Sequence, residues 1–171
     1  MVEKDQILKE TMDHTGLFSF SDFYTYAHTW LKDNLYGVNE EKYGEKVTGN
    51  AREINFEWKA TRFLSDYFRI EMLIRVTVRG LVDVEVEIDG KKKKMNKGSI
   101  SMELRGNLIK DPKSTWDETK PFYKFLRETY DKYIIPKRIV AMEEKIEFDA
   151  RAFKDELKAF LELTGQRGPA K

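Results

Sequence analysis

The sequence predicts an α+β fold, in which an antiparallel β-meander carries a long bent β-hairpin arm and is packed by an N-terminal helix and C-terminal helices. Apolar and polar residues alternate through most of residues 52–110, as they do in strands with one buried face. Asp89-Gly90 divides this region and is a strong hairpin-turn signal. On both sides of the region, aromatic and aliphatic residues recur at helical spacing.

The first 50 residues are predicted to form a helical region. Residues 3–12 suit a short helix with little apolar content. A stronger signal follows at Ser19, which is placed to cap a helix over residues 20–34 that ends near Gly37. Residues 40–50 are charged and contain two glycines, which predicts either a loop or a weak edge strand.

Residues 51–110 are predicted to form the antiparallel sheet. Its first strand buries Ile54, Phe56 and Trp58. In the next strand the even-numbered residues are apolar on both sides of Gly80. One glycine leaves no room for a hairpin turn, so we expect a single long strand that bends at Gly80.

Beyond this bend, residues 82–97 are predicted to form the hairpin arm. A two-residue turn at Asp89-Gly90 places Ile88 opposite Lys91 and Glu85 opposite Lys94. The same register would turn the apolar residues after Ile100 to the wrong face, because a slip of one residue reverses every side chain. We therefore expect a compensating bulge at residues 96–98, level with Gly80.

The C-terminal helices are predicted within residues 116–165, and residues 166–171 are predicted to be a disordered tail of this single domain. A first helix opens near Pro121 and ends at Pro136. A last helix begins after Asp149, its expected cap, and stops at Gly165. The first helix should cover the sheet with a face made of Phe122, Phe125, Leu126, Tyr130, Tyr133 and Ile134.

Composition and motifs narrow the function classes. The formal charge of +1 provides no general attraction for nucleic acid or membrane, and the chain has no cysteine. The sequence contains no Walker, Rossmann, nucleophile-elbow or zinc-protease motif. We expect a non-enzymatic cytoplasmic protein, or a subunit of a particle assembled inside the cell, without a cofactor or a metal.

Three sets of polar residues are candidates for a catalytic or cation-binding site. His28 shares the predicted helix with Tyr24 and Asp22, but we expect a boundary histidine rather than an acid–base cluster. The adjacent Glu40 and Glu41 are expected to be solvated surface. The carboxylates of residues 83–89 alternate along one strand, which predicts cross-strand pairing with lysines rather than a cation site.

Several short segments look like segments of small uncharacterised archaeal proteins. The resemblance covers most of the chain and implies an archaeal or archaeal-virus source, without any assigned activity or functional residue. The segments that carry it are Ser65-Asp66-Tyr67-Phe68, Asp83-Val84-Glu85-Val86, Asp89-Gly90-Lys91, Met95-Asn96-Lys97-Gly98 and Tyr130-Asp131-Lys132-Tyr133-Ile134-Ile135.

Three binding functions follow from these predictions. The leading one is self-association into a homo-oligomer, as in a virus-like or tail-tube-like subunit, through an apolar stripe on the arm: Val82, Val84, Val86, Ile88 and Met95. The second is a small-molecule or lipid cavity between sheet and C-terminal helix, lined by Trp58, Met72, Phe125 and Tyr130. The third, which we do not favour, is anion or nucleic-acid binding by the lysines of the arm: Lys91, Lys92, Lys93, Lys94 and Lys97.

Overall fold

The structure is a five-stranded antiparallel sheet with two helices, within the residues that the computed structural model describes, 3–65, 67–110, 125 and 136–166. The elements are β1 (Glu3–Phe18), α1 (Phe20–Asp33), β2 (Gly37–Thr48), β3 (Ala51–Phe63), β4 (Phe68–Ile88), β5 (Lys91–Lys110) and α2 (Pro136–Gln166). The strand order is β1-β5-β4-β3-β2. The last four strands along the chain form the meander and β1 lies beside β5, so the predicted α+β fold is confirmed.

The short helix predicted for residues 3–12 is wrong, because these residues belong to β1. The register of β1 against β5 shifts between Gln6 and Leu8. At this bulge two consecutive residues, Ile7 and Leu8, are apolar. They interrupt the alternation of more buried and more exposed residues that runs from Met12 to Phe18. Residues 40–50, predicted as a loop or an edge strand, lie mostly in the edge strand β2.

Helix α1 begins as predicted. The Ser19 hydroxyl accepts a hydrogen bond from the amide of Asp22 at 3.3 Å, and Phe23, Ala27 and Leu31 are buried. The helix also ends close to the predicted residue 34, but its cap is Asn34 rather than Gly37, and Asn34 donates its side-chain amide to the Trp30 carbonyl at 2.8 Å. Gly37 is instead the first residue of β2.

The long bent strand is confirmed as β4, and the bulge lies at the expected level but on the other strand. Arg79 pairs with Ser99 and Val82 with Lys97, so two residues of β4 oppose the single residue Gly98. The extra residue is therefore at Gly80-Leu81, where Gly80 has a φ of 61°. The turn at Asp89-Gly90 has positive φ at both residues, 51° and 76°, and sets the predicted arm register.

Helix α2 is continuous from Pro136 to Gln166, so a separate last helix capped by Asp149 is wrong, and the helix also runs past Gly165. Asp149 is buried in mid-helix, where it accepts hydrogen bonds from the Tyr36 hydroxyl at 2.7 Å and the Lys145 ammonium at 2.9 Å. The residues that bury α2 recur every three or four positions: Ile146, Ala150, Phe153, Leu157 and Leu161. The helix predicted between Pro121 and Pro136, apart from Phe125, lies outside the described residues.

One face of the sheet packs against the two helices, and the other carries charged cross-strand pairs. Arg75 Nε lies 2.8 Å from a carboxylate oxygen of Glu57. On the same face, Glu71 is only 2% exposed and lies 2.5 Å from Lys4 Nζ and 3.6 Å from Lys59 Nζ. Burial alone would raise the pKa of Glu71, but the hydrogen bond and charge of Lys4, with Lys59, hold this pKa below its ordinary value.

Candidate functional site

A groove between α1 and the edge strand β2 combines aromatic rings with a carboxylate. It has a volume of about 410 Å³. One wall is the first turn and a half of α1 and the other is the start of β2. The lining residues are Phe20, Ser21, Tyr24, Thr25, Glu40 and Tyr43. We call this the aromatic groove.

Local structure explains why these residues meet. Phe20 and Tyr24 are four residues apart on α1 and therefore share one face of the helix. On β2, the register shifts between Glu40 and Lys42, and the bulge places Glu40 opposite Trp58 and Tyr43 opposite Phe56. Trp58 and Phe56 are buried on the helix-facing side of the sheet, so Glu40 and Tyr43 lie on that side too.

Glu40 is held by two donors on one of its oxygens. Its Oε2 accepts hydrogen bonds from the Tyr24 hydroxyl and from Trp58 Nε1, the latter at 2.9 Å. Among the described residues, its Oε1 has no hydrogen-bond partner. Burial, and then the nearby Glu40 carboxylate, raise the pKa of Tyr24 to about 12. The Tyr24 hydroxyl therefore keeps its proton and remains a donor at neutral pH.

The rings below and around Glu40 support one another. Tyr24 makes edge contacts with Trp58 and Phe56, at centroid distances of 4.9 and 5.3 Å. Phe20 and Tyr43 also contact Phe56, at 6.2 and 6.5 Å. Trp58 and Phe56 are buried, whereas Tyr43 is 48% exposed at the rim. The groove thus has a rigid floor and an accessible edge.

The chemistry of this groove favours recognition of a cation. Aromatic faces attract cations, and a carboxylate with one oxygen already bonded orients the other toward a ligand. No group of three or more potential metal ligands occurs in the described part of the chain.

His28 does not form a cluster with Tyr24 and Asp22. The Tyr24 hydroxyl donates to Glu40 instead, and the His28 ring lies 5.7 Å from the Trp58 ring.

The apolar stripe on the arm is partly covered by its own chain. Val86 is 5% and Met95 3% exposed, whereas Val82, Val84 and Ile88 are half-buried. A second groove of about 310 Å³ runs between the arm and the helices, and its apolar lining is Ile88, Met95, Phe160 and Leu163. Self-association through the stripe stays a prediction, and the structure leaves less uncovered apolar surface for it than the sequence suggested.

The lysines of the arm, residues 91–94 and Lys97, are exposed. Glu85 stands opposite Lys94 and Glu87 opposite Lys92, in the predicted register. Nucleic-acid binding by these lysines stays a prediction.

The small-molecule or lipid cavity expected between the sheet and the C-terminal helix stays a prediction, because most of the helix expected to cover it lies outside the described residues. Trp58 and Met72 are packed in the core at 2% and 0% exposure. Phe125 is 63% exposed, and Tyr130 lies outside the described residues.

The sequence did not point to the aromatic groove. Glu40 is exposed, as expected of solvated surface, but it also accepts hydrogen bonds from Tyr24 and Trp58. Strict alternation would place Glu40 and Tyr43, which are three residues apart, on opposite faces, and only the bulge in β2 brings them to one face. No local signal brings α1 beside this strand, so the site depends on tertiary structure.

Comparison with known proteins adds no assignment. No family model, no curated protein and no solved structure matches the chain. The resemblance to archaeal proteins therefore stays a prediction. Among the described helices, none is long and apolar enough to cross a membrane.

Proposed function

We propose that this chain is a non-enzymatic binding protein whose aromatic groove takes a small organic cation, a primary or methylated ammonium group. The observation that carries the proposal is the geometry of Glu40. One carboxylate oxygen is fixed by Tyr24 and Trp58, and the other has no partner among the described residues of a groove walled by rings. An ammonium group would neutralise this carboxylate while its alkyl groups contact Phe20, Tyr24 and Tyr43.

The expected affinity is modest because the groove is open. A cation on a ring at an exposed site contributes about 0.5–1 kcal/mol, and an exposed ion pair contributes roughly 0–1 kcal/mol. Three rings and one carboxylate therefore stabilise the complex by about 3 kcal/mol, which corresponds to a Kd of several millimolar. A volume of about 410 Å³ lies within the range of small-molecule pockets.

Titration calorimetry with tetramethylammonium and butylammonium tests the proposal. Both cations should bind, and tert-butanol, a neutral analogue of similar shape to tetramethylammonium, should bind detectably more weakly. Glu40→Gln keeps an oxygen that accepts from Tyr24 and Trp58 but removes the charge, so it should weaken cation binding by about two- to fivefold. Tyr43→Leu removes the exposed ring and should weaken binding by about threefold.

Glu41→Gln is the matched control. Glu41 is the neighbouring carboxylate, accepts a hydrogen bond from Asn39 at 2.6 Å, and does not line the groove. This variant should bind both cations as the wild type does. Equal binding of tert-butanol, or an unchanged affinity in Glu40→Gln, would contradict cation recognition by this groove.

A second candidate is self-association through the arm, and one observation favours it. Pairing of β4 with β3 ends at Leu81, and pairing of β5 with β1 ends at Asn96. Within the described part of the chain, the arm beyond these residues is a two-stranded ribbon with both edges unpaired, which suits addition of a strand from another copy.

Size-exclusion chromatography with light scattering tests this candidate. The wild type should be oligomeric, and replacing residues 84–95 by an Asn-Gly turn, which joins the paired residues Asp83 and Asn96, should give a monomer. A wild type that is monomeric at every concentration would exclude it.

A further inference from the structure

The outer edge of β2 adjoins the aromatic groove and has no strand beside it among the described residues. In that part of the chain β2 ends the strand order and pairs only with β3. Of its 12 residues, Gly37 to Thr48, all except Val38 are exposed. In an antiparallel edge strand, about every second residue directs both its N–H and its C=O outward. The edge is therefore a template for one more strand.

The two faces of β2 differ in charge. The residues on the helix-facing side, identified by their buried partners on β3, include no basic side chain: Val38, Glu40, Tyr43 and Glu45. The two lysines lie on the opposite side, with Lys42 opposite Glu57 and Lys46 opposite Glu53. A strand added to this edge would thus meet carboxylates and an aromatic ring on its groove side, which complements a basic side chain.

A second copy of the chain fits this edge poorly. Two identical antiparallel strands related by a two-fold axis pair residue by residue about a central residue. A centre at Gly44 sets Lys42 against Lys46, and a centre at Glu45, Lys46 or Lys42 sets that charge against itself. A centre at Tyr43 brings Glu41 beside Glu45. Like charges directly opposite are unfavourable in all these registers.

We infer that, if the groove takes an organic cation as proposed above, that cation is the lysine side chain of an extended peptide that adds to β2 as a sixth strand. The peptide backbone pairs with the open edge of β2. Its lysine reaches over Tyr43 and places its ammonium at Oε1 of Glu40. Side chains two residues before and after this lysine point to the same side of the sheet as Tyr43.

The test compares a peptide with the free cation by titration calorimetry. The probe is a blocked nine-residue peptide with a central lysine and alternating valine and threonine on either side. It should bind at least tenfold more tightly than butylammonium, and replacing its lysine by norleucine should weaken binding about fivefold. Hydrogen exchange should slow in β2 amides with the peptide but not with butylammonium.

Two N-methylated isomers provide the matched control. Each carries methyl groups on alternate backbone amides, and only one isomer loses the N–H groups that face β2. Strand addition predicts that one isomer loses binding by tenfold or more and the other does not. Equal binding of both isomers overturns strand addition.

The remaining outcomes separate the two proposals. A peptide that binds no more tightly than butylammonium overturns strand addition and leaves the cation groove standing, whereas absence of binding by both probes overturns both. A wild-type dimer that dissociates when the peptide is added shows that a second copy occupies the edge, which overturns the peptide as its natural occupant.

Discussion

Gly98 faces the bulge of β4 so closely that it has no room for a side chain. A Cβ at this position would lie 3.0 Å from the Arg79 carbonyl oxygen and 3.1 Å from the Leu81 Cα. Both are backbone atoms and cannot turn away. Overpacking of this kind costs about 1–3 kcal/mol, and the general gain of alanine over glycine in a strand offsets about 0.5–1 kcal/mol of it. Gly98→Ala should therefore destabilise the protein by up to about 2.5 kcal/mol, with a mid-range value of about 1 kcal/mol.

Thermal unfolding followed by circular dichroism measures this change. For a chain of this length, the mid-range loss of about 1 kcal/mol should lower Tm by roughly 2–4 °C, and the largest loss by up to about 10 °C. Gly44→Ala is the matched control, because a Cβ on this strand glycine meets nothing within 4 Å. Its Tm should stay unchanged or rise slightly. Equal stability of the two variants would refute the close approach of Gly98 to the β4 bulge.

Three further predictions concern ionisable groups that are buried or half-buried. Asp149→Ala leaves the Tyr36 hydroxyl without its acceptor and should lower the free energy of unfolding by about 1–3 kcal/mol in urea; an unchanged midpoint would contradict this. Burial raises the pKa of Tyr24 to about 12 and that of Tyr36 further, so the unfolded chain loses these protons first, near pH 10. Stability should therefore fall as pH rises above about 10, and tyrosinate absorbance should appear together with unfolding rather than before it. The pKa of Glu71 is lowered from 4.5, so the ionised carboxylate stabilises the folded state above that pH. This stabilisation is lost as pH falls through the pKa of Glu71 in the folded state. Glu71→Gln should therefore flatten this acid dependence of the urea midpoint.

Local signals explain the part of the fold that the sequence predicted. Asp89-Gly90 has the residues that a type I′ turn requires, and this turn alone set the register of the whole arm. Ser19 made α1 predictable in the same way. The bend at Gly80 followed from apolar parity on its two sides, although parity did not show which strand carried the extra residue.

Non-local contacts explain the errors. The bulge near Ile7 broke the alternation of β1, and the charged residues around it suit a helix as well as a strand. Asp149 after Phe148 has the appearance of a helix cap, but Tyr36, 113 positions away, binds it in mid-helix. The candidate site depends on the same kind of contact, because Glu40 meets Trp58 only when β2 pairs with β3 and meets Tyr24 only when α1 packs beside β2.

The chemical shift of the Trp58 indole proton reports directly on binding of a cation at Glu40. This proton is donated to Oε2 of Glu40 at 2.9 Å, so a cation bound to that carboxylate must change its chemical shift. Trp30, which packs against Phe153 at 5.1 Å, is an internal control in the same spectrum, and Trp58→Phe assigns the signal. Titration with tetramethylammonium in a two-dimensional ¹H–¹⁵N spectrum should move the Trp58 signal along a saturable curve and leave that of Trp30 in place. A stationary Trp58 signal, or equal movement of both signals, would contradict the cation site.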